Sequence, residues 1–423
     1  MNIRDAQSPK FLTGALLGQI VVVVSNLCAG VVLARGMPLE TRGLSALANV
    51  ATSISGLIGG LGLSELLIRH HARFVFRRRT VSLAVTISVG VGLATGAVFI
   101  AVLGISFSQA SLIALICVFS SQNSWALARL YCESGILAFA VAQALFASMV
   151  ALTTATTYIA SAWSLTFTQV LVVLLLCELF LLSWCARKHY TNHQVLSRSL
   201  LGLDWDSASI SSPNSTWFDL RSGVLHLFSQ LGSIAGDRGI VLLASGLGGL
   251  TSAAQLSVAQ SIASPVNLPV QALSPSLIRE GSVARQGGKW TKASQALTCS
   301  TIISVIGLGL APILTIPIFG AQYRDLATDS WLIMLVGLAG AAWRIWHLKL
   351  RGAHLPAKAF QSDMIAFGVT CCFAWFAFTS KDATLSLLLV LAAYSTVGCV
   401  SARLLYKVFR PNSSELLTLR AKL

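Results

Sequence analysis

Long apolar runs, each about 20 residues long, follow one another along almost the whole chain. A helix of that length spans the hydrocarbon core of a bilayer, whereas a membrane β-barrel would show short segments of alternating polarity. With 55% hydrophobic and 11% charged residues, the chain has the composition of a protein whose solvent is lipid. We therefore predict an all-α polytopic membrane protein with about twelve transmembrane helices. The runs begin at Phe11, Leu44, Val81, Ser108, Ile136, Leu165, Leu220, Thr251, Ser294, Ala327, Ser362 and Thr384.

Lysine and arginine are concentrated in every second gap between these runs. One side holds, among others, a cluster from Arg69 to Arg79 and the tail from Arg403 to Lys422, and the other side holds few basic residues. The positive-inside rule then predicts that both termini are cytoplasmic. The formal net charge of +15 mainly reflects membrane topology, because the basic residues flank the predicted helices. The sequence shows no nucleic-acid recognition fold, so nucleic-acid binding is not favoured. The basic residues on the other side are Arg35, Arg42, Arg324 and Lys381.

The longest polar stretch divides the apolar runs six and six. We predict a six-helix N-terminal lobe over residues 1–186, a cytoplasmic linker over 187–217, a six-helix C-terminal lobe over 218–410 and a cytoplasmic tail over 411–423. A shift of about 211 positions aligns Gln19 with Gln230 and Asn26 with Asp237. An even number of helices separates equivalent positions, so the lobes share one orientation and a pseudo-two-fold axis along the membrane normal. Such a duplication favours a transporter with substrate bound between its repeats.

Polar residues recur on single faces of several predicted helices. Helix seven carries His226, Gln230, Ser233 and Asp237, and helix one carries Gln19 and Asn26 two turns apart. Small and polar residues also hold membrane helices together, and we interpret the Gly and Ser positions in that way. The amides, His226 and Asp237 are interpreted as the lining of a cleft. Helix eight carries the corresponding stripe Gln260, Ser264, Asn267 and Gln271.

Ionisable residues inside the apolar runs are few and costly to bury in lipid, so each should face protein or water. Glu178 has apolar neighbours in its own helix and is either a proton-linked carboxylate or an inter-helix hydrogen bond. Asp237 lies beside Arg238 in helix seven. Glu65 and Arg69 are four residues apart and could form an ion pair at a helix end. Glu178 and Asp237 are the candidates for coupling transport to an ion gradient.

Proline residues in predicted helix eight remove backbone hydrogen bonds, so that helix is expected to bend or unwind and could be a moving part. A static kink that only shapes packing would leave the same pattern. The sequence lacks nucleotide-binding loops, metal-ligand spacing and hydrolase motifs, so we predict no cofactor, no metal and no enzymatic activity. The prolines are Pro265, Pro269 and Pro275.

Several short motifs resemble those of the Wzx-type flippases. The first is Leu33-Ala34-Arg35-Gly36, followed by Arg42-Gly43, Gly60-Leu61-Gly62-Leu63 and Arg69. Two further matches are Gly236-Asp237-Arg238 and Pro275-Ser276-Leu277-Ile278-Arg279. The first departs from the family in having Gly before the Asp-Arg. These flippases are polysaccharide-export members of the multidrug/oligosaccharidyl-lipid/polysaccharide exporter superfamily, which also holds the MATE multidrug exporters and lipid II flippases.

This resemblance implies a flippase for an undecaprenyl-diphosphate-linked oligosaccharide in the bacterial cytoplasmic (inner) membrane. It would work by alternating access in the biosynthesis of a surface polysaccharide such as O-antigen, with a polysaccharide polymerase and export machinery as possible partners. Arginine forks suit diphosphate oxygens, and amides suit sugar hydroxyls. The predicted substrate-binding residues are Arg35, Arg69, Asp237, Arg238, Arg279, Asn26, Gln230, Gln260, Asn267 and Gln271.

Other functions stay open at this point. A MATE-like cation-coupled exporter would imply an acidic residue in the cleft of the first lobe, where helix one carries Asn26 and no carboxylate. A membrane-embedded glycan polymerase or ligase would use the same lipid carrier, but such enzymes usually need a sizeable periplasmic loop, and the predicted loops are short. An accessory membrane protein without transport activity is a further alternative.

Overall fold

The computed structural model describes residues 9–61, 64, 78–192, 224, 227–228, 230–231, 240–284, 291–353, 355–377 and 383–409. Every regular element within these ranges is helical, which confirms the all-α prediction. The chain divides into two compact units, residues 1–231 and 232–423. The helices of the first unit are α1 (Pro9–Gly36), α2 (Leu39–Gly60), α3 (Arg78–Leu103), α4 (Phe107–Ala160) and α5 (Phe167–Asn192).

The second unit contains a short 3-10 turn, Ala321–Tyr323, and one helix of only five residues. Its helices are α6 (Ile240–Ala284), α7 (Thr291–Phe319), α8 (Arg324–Thr328), α9 (Ser330–Gly352), α10 (Pro356–Ala377) and α11 (Ala383–Phe409). Helix α5 continues to Asn192, so the first six positions of the predicted linker at 187–217 are helical. The rest of that linker and the predicted tail at 411–423 lie outside the described residues.

Eight helical segments in the described part of the chain are long and apolar enough to cross a membrane. Many of their large apolar side chains are exposed, as expected for surfaces that face lipid. The protein is therefore a multi-pass membrane protein. The cytoplasmic placement of its termini stays a prediction. The segments are Leu17–Gly36, Leu39–Gly60, Ser82–Leu103, Phe107–Tyr131, Leu137–Ala160, Phe167–Lys188, Lys292–Phe319 and Ser330–Arg351.

Helix α4 is the centre of the first unit, and α1, α2, α3 and α5 all pack against it. A capping box formed by Ser106 and Gln109 stabilises the start of this helix. The Gln109 backbone N–H donates to the Ser106 hydroxyl, and the Ser106 backbone N–H donates to the side-chain oxygen of Gln109. Gly135 has φ 82° and ψ −177°, a conformation that a residue with a side chain rarely adopts, and it divides α4 into two spans. This break coincides with the predicted boundary between the fourth and fifth apolar runs.

Helices α2 and α4 approach closely because α2 presents glycines to α4. The Ser121 hydroxyl donates to the Gly56 carbonyl (3.1 Å), and the Trp125 indole N–H donates to the Gly60 carbonyl (3.1 Å). Gly59 lies against Ser88 of α3 as well as Ser121 of α4. Small residues of this kind let membrane helices come within hydrogen-bonding distance of one another's backbone.

Gly59→Ala is expected to lower the stability of the first unit by about 1–3 kcal/mol, the usual cost of overpacking. An added Cβ would lie 2.9 Å from the Ser88 Cα and would also collide with the Ser121 hydroxyl. Thermal unfolding of the purified protein in mild detergent measures the loss. Gly90→Ala on α3 is the matched control, because nothing lies within 4 Å of its added Cβ. Equal melting temperatures for the two variants would contradict the close packing.

Helix α9 is the corresponding centre of the second unit, where it packs against α6, α7, α10 and α11. The Ser304 hydroxyl on α7 donates to the Met334 carbonyl on α9 (3.0 Å), and Ser362 on α10 bonds Ser401 on α11 (2.7 Å between the Oγ atoms). One buried apolar cluster joins α6, α7 and α9. Its members are Val270, Leu277, Ala293, Ala296, Ala341 and Ile345.

Predicted helix eight was expected to bend or unwind at its prolines; it does not unwind there, and a bend stays a prediction. Helix α6 keeps helical backbone through Pro265, Pro269 and Pro275, and the non-helical residue inside it is Gly249 (φ 75°, ψ −176°). Neighbouring helices can compensate for the backbone hydrogen bonds that proline removes, and α6 packs against α7, α9 and α11. Gly249 lies next to the predicted start of helix eight at Thr251.

Candidate functional site

Four of the predicted binding residues cannot be placed as side chains. Arg69, Asp237 and Arg238 lie outside the described residues, and so do Glu65 and His226. Arg279 falls in α6, and its side chain is also outside the description. The cationic part of the predicted site and the coupling role of Asp237 therefore stay predictions.

The predicted residues on α1 lie on its accessible surface. Asn26 and Arg35 are both exposed within the first unit. Gln19, one of the residues aligned between the two halves, instead donates from its amide Nε2 to the Gln143 Oε1 on α4 (2.8 Å). Gln19 therefore serves as a contact between α1 and α4. Asn26 is accessible to other molecules or to other parts of the chain.

Three predicted amide residues lie together on α6. Gln260 and Asn267 are half-buried, and Gln271, one turn further on, is exposed. The Oδ1 atom of Asn267 is buried and accepts no hydrogen bond. A buried amide oxygen without a donor costs free energy, so it needs either an ordered water or a ligand that donates to it. Gln230, at the end of the first unit, is half-buried.

Glu178 on α5 lies near the middle of its membrane span and is bonded to α4. The amide Nδ2 of Asn123 donates both to the Glu178 carboxylate (2.5 Å to Oε2) and to the Glu178 backbone carbonyl (2.8 Å). The inter-helix hydrogen bond considered from the sequence is therefore present. A carboxylate inside a membrane span is expected to have a function as well, because burial there costs several kcal/mol.

The donor of this bond, Asn123, belongs to a polar segment of α4, residues 120–124. Asn123 keeps its own Oδ1 buried and without a donor, and the neighbouring Gln122 is buried with neither amide atom hydrogen-bonded. Asn123 thus has an unused acceptor, and Gln122, its neighbour in the chain, has an unused donor and an unused acceptor. Gln122 and Asn123 were missed from the sequence, although five consecutive polar residues inside an apolar run were a visible signal.

A second group that sequence reasoning missed lies in the second unit. His347 of α9 and Asp363 of α10 form a buried pair, with 2.9 Å between Nε2 and Oδ2. Asp363 is the only acidic residue in α9, α10 and α11. A single acidic residue within these apolar helices indicated a special role for Asp363, but the sequence did not identify His347 as its partner.

Comparison with solved structures identifies the fold. The chain superposes on MATE in the straight conformation with a TM-score of 0.65, at 15% identity over 98% of this chain and 96% of that chain. An inward-facing conformation of a multidrug resistance MATE family transporter of the MOP superfamily gives 0.63, at 14% identity over 95% and 99%. The chain has the fold of the MATE transporters.

The MATE fold is matched in more than one conformational state. The outward-facing conformation of a multidrug resistance MATE family transporter gives a TM-score of 0.60, at 13% identity over 94% of each chain. These identities are too low to carry a substrate or a residue's role from the MATE structures to this protein. No protein-family model matches the sequence, and no curated protein matches it.

Proposed function

We propose that this protein is a membrane transporter that works by alternating access. The observation that carries the proposal is the MATE fold over nearly the whole chain, since similar structures are known in inward-facing and outward-facing conformations. One fold can carry different functions, so the fold supports the mode of transport but does not identify the cargo.

The cargo we propose from the sequence resemblance is a lipid-linked oligosaccharide with a diphosphate bridge. Unsatisfied amides suit a sugar headgroup, as with Asn267 on α6 and Gln122 on α4. The lipid tail could stay in the bilayer while the headgroup crosses. The predicted arginines would bind the diphosphate, and arginine does this better than lysine because its fork makes two parallel hydrogen bonds.

A MATE-like exporter is the second candidate, and the structural comparisons support it more directly than they support the flippase. The exporter requires an acidic residue in the first lobe. Helix α1 offers Asn26, but Glu178 on α5 is a half-buried carboxylate in that same unit. A glycan polymerase or ligase is left as a third class, without a specific observation in its favour.

The test is transport into and out of liposomes that contain the purified protein, with two probes. One is a labelled polyprenyl-diphosphate oligosaccharide, whose exposure is read by an enzyme outside the vesicle that modifies the glycan. The other is a hydrophobic cationic dye, whose efflux is read by fluorescence. Protein-dependent exposure of the glycan would support the flippase, and dye efflux alone would support the exporter. Lengthened glycan chains would point to an enzyme, and no movement of either probe would contradict transport.

Arg279→Ala is expected to lower glycan exposure about tenfold or more, because a charge-assisted hydrogen bond contributes roughly 1.5–3 kcal/mol. Arg279→Lys should restore only part of that loss, since a point charge lacks the bidentate fork. Arg324→Ala is the control, because Arg324 begins the short helix α8 and is exposed. Wild-type rates for Arg279→Ala would remove it from the predicted cationic site.

A further inference from the structure

The end of the second unit where α9 meets α10 carries a concentration of basic side chains. Helix α9 ends at Gly352 and α10 begins at Pro356. The C-terminal part of α11 lies at the same end, because one buried apolar cluster joins all three helices there, with Leu350, Ala359 and Tyr406 among its members. We call the five lysines and arginines of these helix ends the basic cluster. They are Lys349, Arg351, Lys358, Arg403 and Lys407.

The sequence of these helix ends contains no acidic residue. Positions 349–360 and 402–409 hold neither aspartate nor glutamate. The acidic residue of α10, Asp363, is fully buried and hydrogen-bonded to His347. The Lys358 Nζ donates to the Gln361 Oε1 (3.1 Å), a neutral group that leaves the positive charge in place. These helix ends therefore carry net positive charge, which attracts anions.

Two members of the basic cluster lie against one aromatic ring. The Lys349 Nζ is 5.3 Å from the centre of the Trp346 ring, and the Arg403 Cζ is 5.9 Å from it. Lys349 belongs to α9 and is buried, whereas Arg403 belongs to α11 and is exposed. Tyr406 also packs against Trp346, with 5.7 Å between the ring centres. Cation–π attraction thus holds the exposed charge of Arg403 in a fixed place.

The basic cluster lies at the level of the lipid headgroups. The membrane-spanning segment of α9 is Ser330–Arg351, so it ends at a member of the cluster. Tryptophan and tyrosine are enriched at the boundary between membrane and water, and Trp346 and Tyr406 fit that position. The positive-inside rule predicts this end to be cytoplasmic. A negatively charged group at this depth is most readily supplied by a lipid headgroup.

Exposed apolar side chains continue along α11 from the basic cluster. Val400, Leu404 and Val408 are 53%, 56% and 72% exposed, and we call them the apolar strip. Residues four apart share one face of a helix, so the strip runs beside the face that carries Arg403 and Lys407. A molecule bound here contacts charge and apolar surface together. Free phosphate would use only the charge, whereas a phospholipid has an anionic head for the charge and acyl chains for the strip.

The positive-inside rule explains why basic residues occur at this end but not how they are arranged. The rule requires only that lysine and arginine flank the membrane spans. Here cations from two helices share the Trp346 ring, and two exposed cations adjoin an apolar strip. Basic sites between membrane helices bind anionic lipid headgroups, and the arginine fork can make two parallel hydrogen bonds to phosphate oxygens.

We infer that the basic cluster and the apolar strip together form a binding site for an anionic phospholipid of the surrounding bilayer. The phosphate of the headgroup binds at Arg403 and Lys407, the two exposed members of the cluster on α11. An acyl chain lies along the apolar strip. The bound lipid stabilises the second unit, because a ligand of the folded state raises its stability by mass action. This inference does not depend on the proposed transport function or on its cargo.

The test measures which lipids the purified protein binds. Protein in mild detergent is titrated with phosphatidylglycerol, which is anionic, or with phosphatidylcholine, which is zwitterionic and is given the same acyl chains. Native mass spectrometry reports the fraction of protein with bound lipid. We expect phosphatidylglycerol to bind more than about tenfold more tightly, because each basic residue near an anionic lipid strengthens binding about fivefold. Equal affinities for the two lipids would overturn the anionic site.

Substitutions on α11 place the site. Arg403→Ala and Lys407→Ala should each weaken phosphatidylglycerol binding about fivefold, and the double variant about 25-fold, with little change for phosphatidylcholine. Both side chains are exposed, and testing each single variant lets one decide if the other misfolds. Arg324→Ala is the matched control, because it removes an exposed arginine from α8 and should keep the wild-type affinity. Wild-type affinity in the double variant would overturn the assignment to this end of α11.

Inorganic phosphate distinguishes a lipid site from a site for small anions. Excess phosphate, compared with chloride at the same ionic strength, should leave phosphatidylglycerol bound, because phosphate cannot occupy the apolar strip. Displacement of the lipid by phosphate but not by chloride would assign the basic cluster to a free phosphate group and overturn the lipid site. None of these measurements involves transport, so their outcome is independent of the liposome assay for the proposed function.

Discussion

Replacing Asp363 with alanine is expected to lower the free energy of unfolding by about 1–3 kcal/mol, the cost of leaving a buried hydrogen-bonding group without its partner. The carboxylate is completely buried, and it is the only acid in the three helices α9, α10 and α11. Its removal leaves His347 buried without its hydrogen-bond partner. Unfolding of the purified protein in mild detergent, followed by helical circular dichroism as denaturant is added, measures the loss.

A double-mutant cycle separates the pair from the general cost of an altered core. The cycle uses His347→Ala, Asp363→Ala and the double variant, and we expect a coupling energy within the range of about 0.5–3 kcal/mol found for contacting residues. Asp325→Ala is the matched control, since Asp325 is exposed on α8 and a surface substitution usually costs less than about 0.5 kcal/mol. Additive effects of the two single variants would show that the 2.9 Å contact contributes nothing specific.

The fold was largely predictable because the bilayer imposes a simple length rule on apolar runs. All six runs predicted for the first half correspond to spans of α1 to α5. The boundary placed before Ile136 coincides with the break at Gly135, and the one before Thr251 with the break at Gly249. A glycine with positive φ ends one helical span and begins the next without a polar loop, so the single element α4 contains two spans.

The prolines of α6 show where a local rule fails. Each proline removes one backbone hydrogen bond, which predicts strain in an isolated helix. In the folded unit, α6 is held by α7, α9 and α11, and its backbone stays helical through Pro265, Pro269 and Pro275. The conformational break is set instead by Gly249, where no Cβ opposes a positive φ. Which helices pack against α6 cannot be determined from its own sequence, so the backbone conformation at these prolines could not be predicted from a local rule.

The polar interior was only partly predictable, for a related reason. Glu178 was recognisable because a carboxylate in an apolar span stands out, but its partner Asn123 is 55 positions away in the chain. His347 and Asp363 are 16 positions apart, on helices joined by a turn, and their contact depends on the rotation of each helix about its axis. The periodicity of a sequence shows which residues share one face of a helix, but it does not determine how two helices are rotated relative to each other.

Trp343→Ala is the second substitution with a large expected effect, a loss of about 3–5 kcal/mol in the free energy of unfolding. Trp343 is 1% exposed and packs edge to face against Tyr394 at 5.4 Å. It also fills the space beside Gly398, where an added Cβ would lie 2.8 Å from the indole Cδ1. Truncation would leave a cavity between α9 and α11 and would remove the ring beside His347. Denaturant unfolding in detergent measures the loss.

Trp331→Ala is a matched control for this prediction, because both tryptophans belong to α9 and lose the same atoms. Trp331 is 49% exposed, so its truncation removes fewer packed contacts. We expect the unfolding midpoint of Trp343→Ala to fall well below that of Trp331→Ala. Equal midpoints would contradict the buried position of Trp343.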